Sequence, residues 1–305
     1  MKSKIDGILN SICVHEGLTL DTQLTLGNVC EFVFRGHRAD GSSAILKVGT
    51  DQASKDEIAE NLSGYRSMDA LGVSQLAPRV FSTQTTGDAH YILMEDCGDD
   101  FYTQAKKSLA PEDLYTTLAA AMGSIYEQTL RPSNAGKQMV MVVVALVGEQ
   151  YKNYLQKAFD PMRLITAQLA QLVSTFEATP LTHACFANWD FTPEDVYLQR
   201  NQVRYSDPKD SVLGLPTIDL ACFAGVSRDV YHLPGSDKGY AQLERLATRQ
   251  VAQLFSITQW DAEKYFALGR LLQSFLSARV RIQNDPNQAH KFYDIGCSFL
   301  LKVLS

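Results

Sequence analysis

A lysine inside the apolar run Ala44-Ile45-Leu46-Lys47-Val48 and three acidic segments far downstream, around Asp190 and Asp195, Asp207, and Asp219, are the residues whose types and spacing suit chemistry. An ammonium in apolar surroundings is unfavourable unless it sits at an edge or meets an anion. Carboxylates supply oxygen ligands for a hard divalent cation, and one placed beside a hydroxyl accepts its proton. Together such groups suit phosphoryl transfer. That reaction needs a cation on the phosphates, metal ligands, a group that aligns the attacking hydroxyl, and an edge that holds the nucleotide base. Taken singly, each has a plainer reading: Lys47 as a solvent-facing strand lysine, Thr192-Pro-Glu-Asp195 as a helix start or turn, and Asp207-Pro-Lys-Asp210 as a surface turn.

Order and spacing favour the joint reading. Asn188-Trp-Asp190-Phe-Thr-Pro-Glu-Asp195, followed by the short apolar Val196-Tyr-Leu198, resembles the catalytic loop of the aminoglycoside phosphotransferase and choline kinase families, whose fold is protein-kinase-like. The resemblance implies that Asp190 orients a substrate hydroxyl and accepts its proton. It places Asp195 at the family's metal-binding Asn position. Asp207, seventeen residues after Asp190 and at the end of the strand-like Val203 to Ser206, would chelate the metal that bridges the nucleotide phosphates. Gly214-Leu-Pro216-Thr-Ile-Asp219-Leu-Ala221 is similar to the family's continuation, in which Asp219 is structural and holds the catalytic loop. Two departures stand out. Asn188 and Trp189 replace the usual His and Gly, and Asp195 keeps an oxygen ligand while adding a charge.

For the first lobe the resemblance gives Lys47 two anions: the phosphates of ATP (or GTP) and a carboxylate on the next helix. Glu60 is the choice, with Glu57 one turn earlier as competitor. Tyr91-Ile-Leu-Met94-Glu95-Asp96-Cys97-Gly98 resembles the strand and hinge that hold adenine. Met94 would lie behind the base, with the Glu95 carbonyl and the Cys97 backbone on its edge. Gly27-Asn28 occupies the place of the phosphate-covering turn. The resemblance spans roughly Leu24 to Ile282 and implies ATP and Mg2+ as cofactors. The implied activity is transfer of the γ-phosphate to a hydroxyl of a small molecule, an aminoglycoside or related antibiotic. An amino alcohol or sugar is the alternative acceptor, and a catalytically weak nucleotide-binding module the alternative to an enzyme.

Other classes are disfavoured. The chain has no GxxxxGK[ST], GxGxxG or GxSxG motif and no CxxC pair, its six histidines show no metal-ligand spacing, and no Ala-Pro-Glu follows Asp207 to suggest a protein substrate. A net charge of -6 gives no basic face for nucleic acid and is compatible with a cationic substrate. Asp229, Asp237, Glu244, Asp261 and Glu263 are either an acidic platform for such a substrate or solvated helix faces. The scattered cysteines and the absence of a continuous apolar stretch in Met1–Gly17 lead to the expectation of a cytoplasmic protein. The apolar run Met139–Val147 is too short to span a bilayer and is expected in a buried helix.

The elements that must position these residues follow from periodicity. Leu24 to Val48 predicts three antiparallel strands joined by Gly-Asn and Asp-Gly turns. Asp51 to Leu71, with Ile58, Leu62, Tyr65, Met68 and Leu71 at spacings of three and four, predicts an amphipathic helix. Two further strands flank Thr86-Gly87-Asp88. Beyond Gly98 the sequence is helical except for a strand-and-turn island from Asp190 to Asp219. The expected fold class is α+β: a two-lobed protein-kinase-like fold, with residues 1–97 as a nucleotide-binding lobe and 98–305 as a helical lobe carrying the catalytic loop.

Overall fold

The computed structural model describes residues 2–24, 32–86, 89–177, 181–188, 191–199, 202–208 and 212–305. The chain divides into two compact units, Met1–Gly98 with Arg204–Asp210, and Asp99–Val203 with Ser211–Ser305. In the first unit, helix α1 (Lys2–Glu16) precedes strands β1 (Leu18–Leu24), β2 (Phe32–Arg38) and β3 (Ser43–Gly49), helix α2 (Gln52–Ala70), and strands β4 (Val80–Thr86) and β5 (Ala89–Glu95). The strands form one antiparallel sheet in the order β1-β2-β3-β5-β4.

Strand alternation gives the sheet two different faces. Ala44, Leu46, Val48, Ala89, Tyr91 and Leu93 point to one face and pack with Ile12 and Leu18, while Ile8, Leu9 and Cys13 of α1 close over them. Lys47 and Met94 fall on the opposite face, the one that α2 covers, because Lys47 pairs with Ile92 and Ile45 with Met94. Asp51 starts α2 as its N-cap, accepting the Ser54 N–H at 2.8 Å and the Ser54 hydroxyl at 2.5 Å. The β1–β2 ladder carries a bulge near Leu20, and there Gly36 is required, since a Cβ would lie 2.3 Å from the Thr19 carbonyl oxygen.

One expectation is corrected here, and one element is added. The first strand begins at Leu18 and ends at Leu24, rather than starting there: Leu18-Thr-Leu20 already alternates, and Leu24 pairs with Val33. The charged and apolar residues of the N-terminus form a helix, because Ile8, Leu9, Ile12 and Cys13 recur at helical spacing and find the sheet as their partner. Residues 25–28 of the expected first strand, with its Gly27-Asn28 turn, lie outside the described residues.

The second unit is mostly helical. Helices α3 (Phe101–Lys107), α4 (Pro111–Thr129), α5 (Ala135–Gln150), α6 (Gln156–Phe159) and α7 (Ile165–Glu177), with the short strand β6 (Arg131–Pro132) before α5, lead to β7 (His183–Phe186). The strands β8 (Val196–Gln199) and β9 (Gln202–Tyr205) pair with each other, and β10 (Leu213–Gly214) pairs with β7. Helices α8 (Pro216–Gly225), α9 (Ser236–Arg245), α10 (Val251–Phe255), α11 (Gln259–Arg281) and α12 (Pro286–Leu304) complete it. Proline opens α4, α8 and α12, where its missing N–H removes no helical bond. Met139, Val140, Val143, Val144 and Val147 are buried as expected, while Val142 and Leu146 of the same apolar run face outward. Among the described residues no helix is long and apolar enough to cross a membrane.

Candidate functional site

Lys47 is 7 % exposed although it is a lysine, and its ammonium has acceptors among the described residues. It donates to Asp207 Oδ1 at 2.8 Å and to Asn61 Oδ1 at 3.1 Å. The Asp207 side chain remains about one fifth exposed, so the pair is not sealed from solvent. This bond joins the middle of β3 to the residue that follows β9 by two, within the first unit, across 160 residues of sequence. A second tie fixes the same segment: the Tyr65 hydroxyl donates to the Ser206 carbonyl at 2.5 Å and lies 3.7 Å from Met94 Sδ. Arg204 anchors its other end, donating to the Gln75 and Ala77 carbonyls at 2.8 and 2.9 Å.

Glu60 is corrected by this geometry. It is exposed on α2, whereas Asn61, fully buried, is the residue that reaches Lys47. Ile58, Asn61, Tyr65 and Met68 lie at spacings of three and four along the buried face, and a step of one residue turns a side chain about 100° away from it. Glu57 is half-buried one turn before Asn61. Sequence reasoning missed Asn61 and the role of Tyr65; the available signal was a polar residue on an otherwise apolar helical stripe.

The hinge residues sit at the end of β5. Met94 is buried, the Glu95 backbone N–H donates to the Arg79 carbonyl at 2.8 Å, and the Glu95 carboxylate accepts the Arg79 N–H at 3.1 Å. Burial and then the neighbouring Glu95 charge push the Cys97 thiol up to about 12, so it is a neutral packing group. Asp96 closes the turn, paired with Arg35 at 2.8 Å and accepting from Ser43 Oγ at 2.7 Å and the Gly98 N–H at 2.9 Å.

Asp190 and Trp189 lie outside the described residues, as does Asn28. The backbone on either side of Asp190 is held within the second unit. Asp219, in the first turn of α8 and 3 % exposed, accepts the N–H of the buried Asn188, where the helix N-terminus also favours its negative charge. After Phe191, Thr192 Oγ1 donates to Asp195 Oδ2 at 2.6 Å and the Asp195 N–H reaches the Thr192 carbonyl, so Thr192-Pro-Glu-Asp195 is a tight turn. Tyr102 N–H donates to the Pro193 carbonyl at 3.1 Å, and Tyr231 packs edge-on against Tyr102 at 4.9 Å. Burial and a hydrogen bond to Glu194 raise the Tyr231 phenol, keeping it protonated.

Asp195 and Asp207 belong to different units and each is described in its own. Among the described residues no three His, Cys, Asp or Glu side chains form an all-protein metal cage. Magnesium is commonly held by one or two carboxylates together with substrate phosphates, and the partly exposed Asp207 fits that kind of ligation.

The acidic residues considered as a substrate platform are mostly committed elsewhere. Asp229 is ion-paired with Arg228 at 2.8 Å and with the fully buried Arg270. Asp261 accepts from the N-cap Thr258 at 2.6 Å, and Glu263 accepts from Gln259 at 3.1 Å. Asp237 lines a cavity of about 390 Å³ in the second unit, together with Arg228, Asp229, His232 and Lys291.

No family model and no curated protein matches the sequence. Solved structures do match. A choline kinase from Cryptosporidium parvum Iowa II is 11% identical, with 97% of this chain and 95% of that chain covered at a TM-score of 0.58. Amicoumacin kinase in complex with AMP-PNP, Ca2+ and Ami is 11% identical over 100% of this chain and 96% of that one, also at 0.58. An aminoglycoside-3'-phosphotransferase of type VIII is 16% identical over 88% and 98%, at 0.53. With an antiparallel five-stranded sheet followed by a helical unit, this chain has the protein-kinase-like fold shared by choline kinases and antibiotic phosphotransferases.

Proposed function

We propose that the chain is an ATP- and magnesium-dependent phosphotransferase acting on a hydroxyl of a small molecule. The observation that carries this reading is Lys47. A buried strand lysine has been brought together with the acidic end of a distant strand, an arrangement that is unfavourable for folding alone and suits a group that must hold phosphate oxygens. The fold points the same way, since the amicoumacin kinase of like fold was solved with AMP-PNP and Ca2+.

In this reading Lys47 binds the nucleotide phosphates. Asp207 and Asp195 are the oxygen ligands assigned to magnesium, which supplies charge neutralisation at the phosphates. Glu95 and Cys97 present backbone to the base, Met94 lies behind it, and Asn28 is assigned to the phosphates. Asp190 aligns the acceptor hydroxyl and takes its proton as the oxygen–γ-phosphorus bond forms and the β–γ bridging bond breaks, releasing ADP. Asp219 keeps the Asn188 end of that loop in place. The acceptor class proposed is an aminoglycoside or related hydroxylated antibiotic. The commitment of Asp229 to two arginines favours a second reading, an amino alcohol or sugar that needs fewer acidic partners.

The test is ATP consumption by purified protein with magnesium across aminoglycosides, other hydroxylated antibiotics and amino alcohols, beside Asp190→Asn. Acceptor-dependent turnover that falls roughly 10²–10⁴-fold in Asp190→Asn is expected. Saturable ATP binding without turnover on any acceptor would instead favour the nucleotide-binding module that Asn188, Trp189 and Asp195 leave open.

A further inference from the structure

A cavity of about 750 Å³ in the first unit shares only Glu95 with that reading, and neither Lys47 nor Asp207 lines it. Three arginines from separate stretches of chain do: Arg38 at the end of β2, Arg79 just before β4, and Arg204 in β9. Phe81 organises two of them, with the Arg38 Cζ 4.3 Å and the Arg79 Cζ 5.4 Å from its ring centroid.

Three carboxylates share the wall, and protein donors already occupy each. Asp40 accepts from the Ser42 N–H at 2.9 Å, the Ser42 hydroxyl at 2.5 Å and Arg38 Nη1 at 3.1 Å. Glu95 accepts the Arg79 N–H at 3.1 Å. Asp96 takes Ser43 and Gly98, and it is neutralised by Arg35, which does not line the cavity. The donor side is less well matched. Among the described residues, the buried Nε groups of Arg38 and Arg204 have no hydrogen-bond partner, and the Arg79 guanidinium rests on the Phe81 ring. Three guanidiniums stand against three carboxylates, one of them cancelled from outside, so the wall carries excess positive charge.

Guanidiniums in excess of the carboxylates beside them attract an anion, whose oxygens accept charge-assisted hydrogen bonds from them. Three guanidiniums around one cavity present more N–H groups than the two oxygens of one carboxylate can take. A phosphate monoester presents three terminal oxygens, and guanidinium is the side chain best matched to them. The volume leaves room for the body of such an ester, with Phe81 and Pro78 as an apolar wall. We infer that this cavity is a second ligand site, built for the phosphate group of a small molecule and separate from Lys47.

Inorganic phosphate is the probe. It is titrated by calorimetry into the full chain in metal- and nucleotide-free buffer, comparing the native protein with Arg79→Ala, Arg38→Ala and Lys47→Ala. Saturable binding is expected, weakened roughly tenfold or more by either arginine change, since each removes a charge-assisted donor, and unaltered by Lys47→Ala. If Arg79→Ala does not fold, Arg79→Lys keeps the charge and loses the fork, and the same weakening is expected of it. No saturable binding by the native protein overturns the inference. So does affinity that disappears with Lys47 and survives in both arginine variants, and so does tighter binding of oxalate than of phosphate.

Discussion

At the scale of single residues, the separation between Glu60 and Asn61 shows how a site is set by side-chain direction more than by charge. Glu60 has the better chemistry for an ammonium, yet it faces solvent; Asn61 has the weaker chemistry and the buried position. Removing the acceptor with Asn61→Leu leaves a buried ammonium with less than its native set of partners. A loss of about 1–3 kcal/mol is therefore expected in urea unfolding. Glu60→Gln should stay within about 0.5 kcal/mol of the native protein, as surface changes away from special features usually do. Equal losses from the two variants would mean that Glu60 is the partner after all. Lys47 itself was legible because a lysine in Ala44-Ile-Leu-Lys-Val48 is a local anomaly. Its helix partner was not, because which of two adjacent residues faces inward depends on the rotation of α2 against the sheet.

Between elements, the second unit turns on the contact of α8 with α11. Gly269 in α11 is where they approach: a Cβ there would lie 2.8 Å from both the Ile218 carbonyl oxygen and the Ala221 Cβ. The clash is largely with backbone, so the helices would have to separate, and α8 carries Asp219, which holds Asn188. Gly269→Ala is expected to cost about 1–3 kcal/mol by overpacking, offset only in part by the better helix propensity of alanine. It should also lower turnover more than a distant change of equal stability cost, read by comparing kcat of the two variants at a temperature where both are fully folded. Most of these elements were legible. The α2 stripe, the β4–β5 pair and the proline-led α4 and α12 follow from period and caps, whereas α8 starts inside the stretch read as strands and turns. The helix at Lys2–Glu16 was hidden because its apolar residues acquire meaning only against Tyr91 and Leu93, strands away in sequence. The same holds for Arg204–Asp210, whose place in the first unit is made by Lys47, Tyr65, Gln75 and Ala77 and by nothing in its own composition.

Across the whole molecule, ionisable groups in both units tie stability to pH in the same way. The Ser54 hydroxyl and N–H lower the Asp51 carboxyl at the start of α2. In the second unit, burial raises Asp229, but the Arg228 hydrogen bond and the charges of Arg270 and Arg228 outweigh it; for Asp160 the Tyr151 phenol and the N–H groups of Ile165 and Leu164 do the same. Each carboxyl is lowered on folding, so the unfolded chain binds more protons in acid. These contributions are present above the ordinary aspartate value of ~3.9 and are lost as the pH falls through the folded-state values. The alkaline side has the opposite sign. Burial pushes the Cys97 thiol and the Tyr91 and Tyr115 phenols up to about 12, so the folded chain holds protons that the unfolded chain gives up. That stability is complete below the ordinary thiol value of ~8.5 and disappears as the pH climbs towards 12. Repulsion from the net charge of -6 would favour mild acid, but at ~0.15 M salt it is screened beyond about 8 Å while the paired carboxyls sit in contact with their donors. Local pairing should therefore win: urea midpoints are expected to form a plateau between roughly pH 5 and 8, falling on both sides. Asp229→Asn should lower the plateau and flatten the acid fall together, because it removes the same linkage that creates both. A native midpoint that climbs steadily as the pH falls from 7 towards the isoelectric region near 5.5 would show that relief of net repulsion, not the carboxylate pairs, governs the acid side.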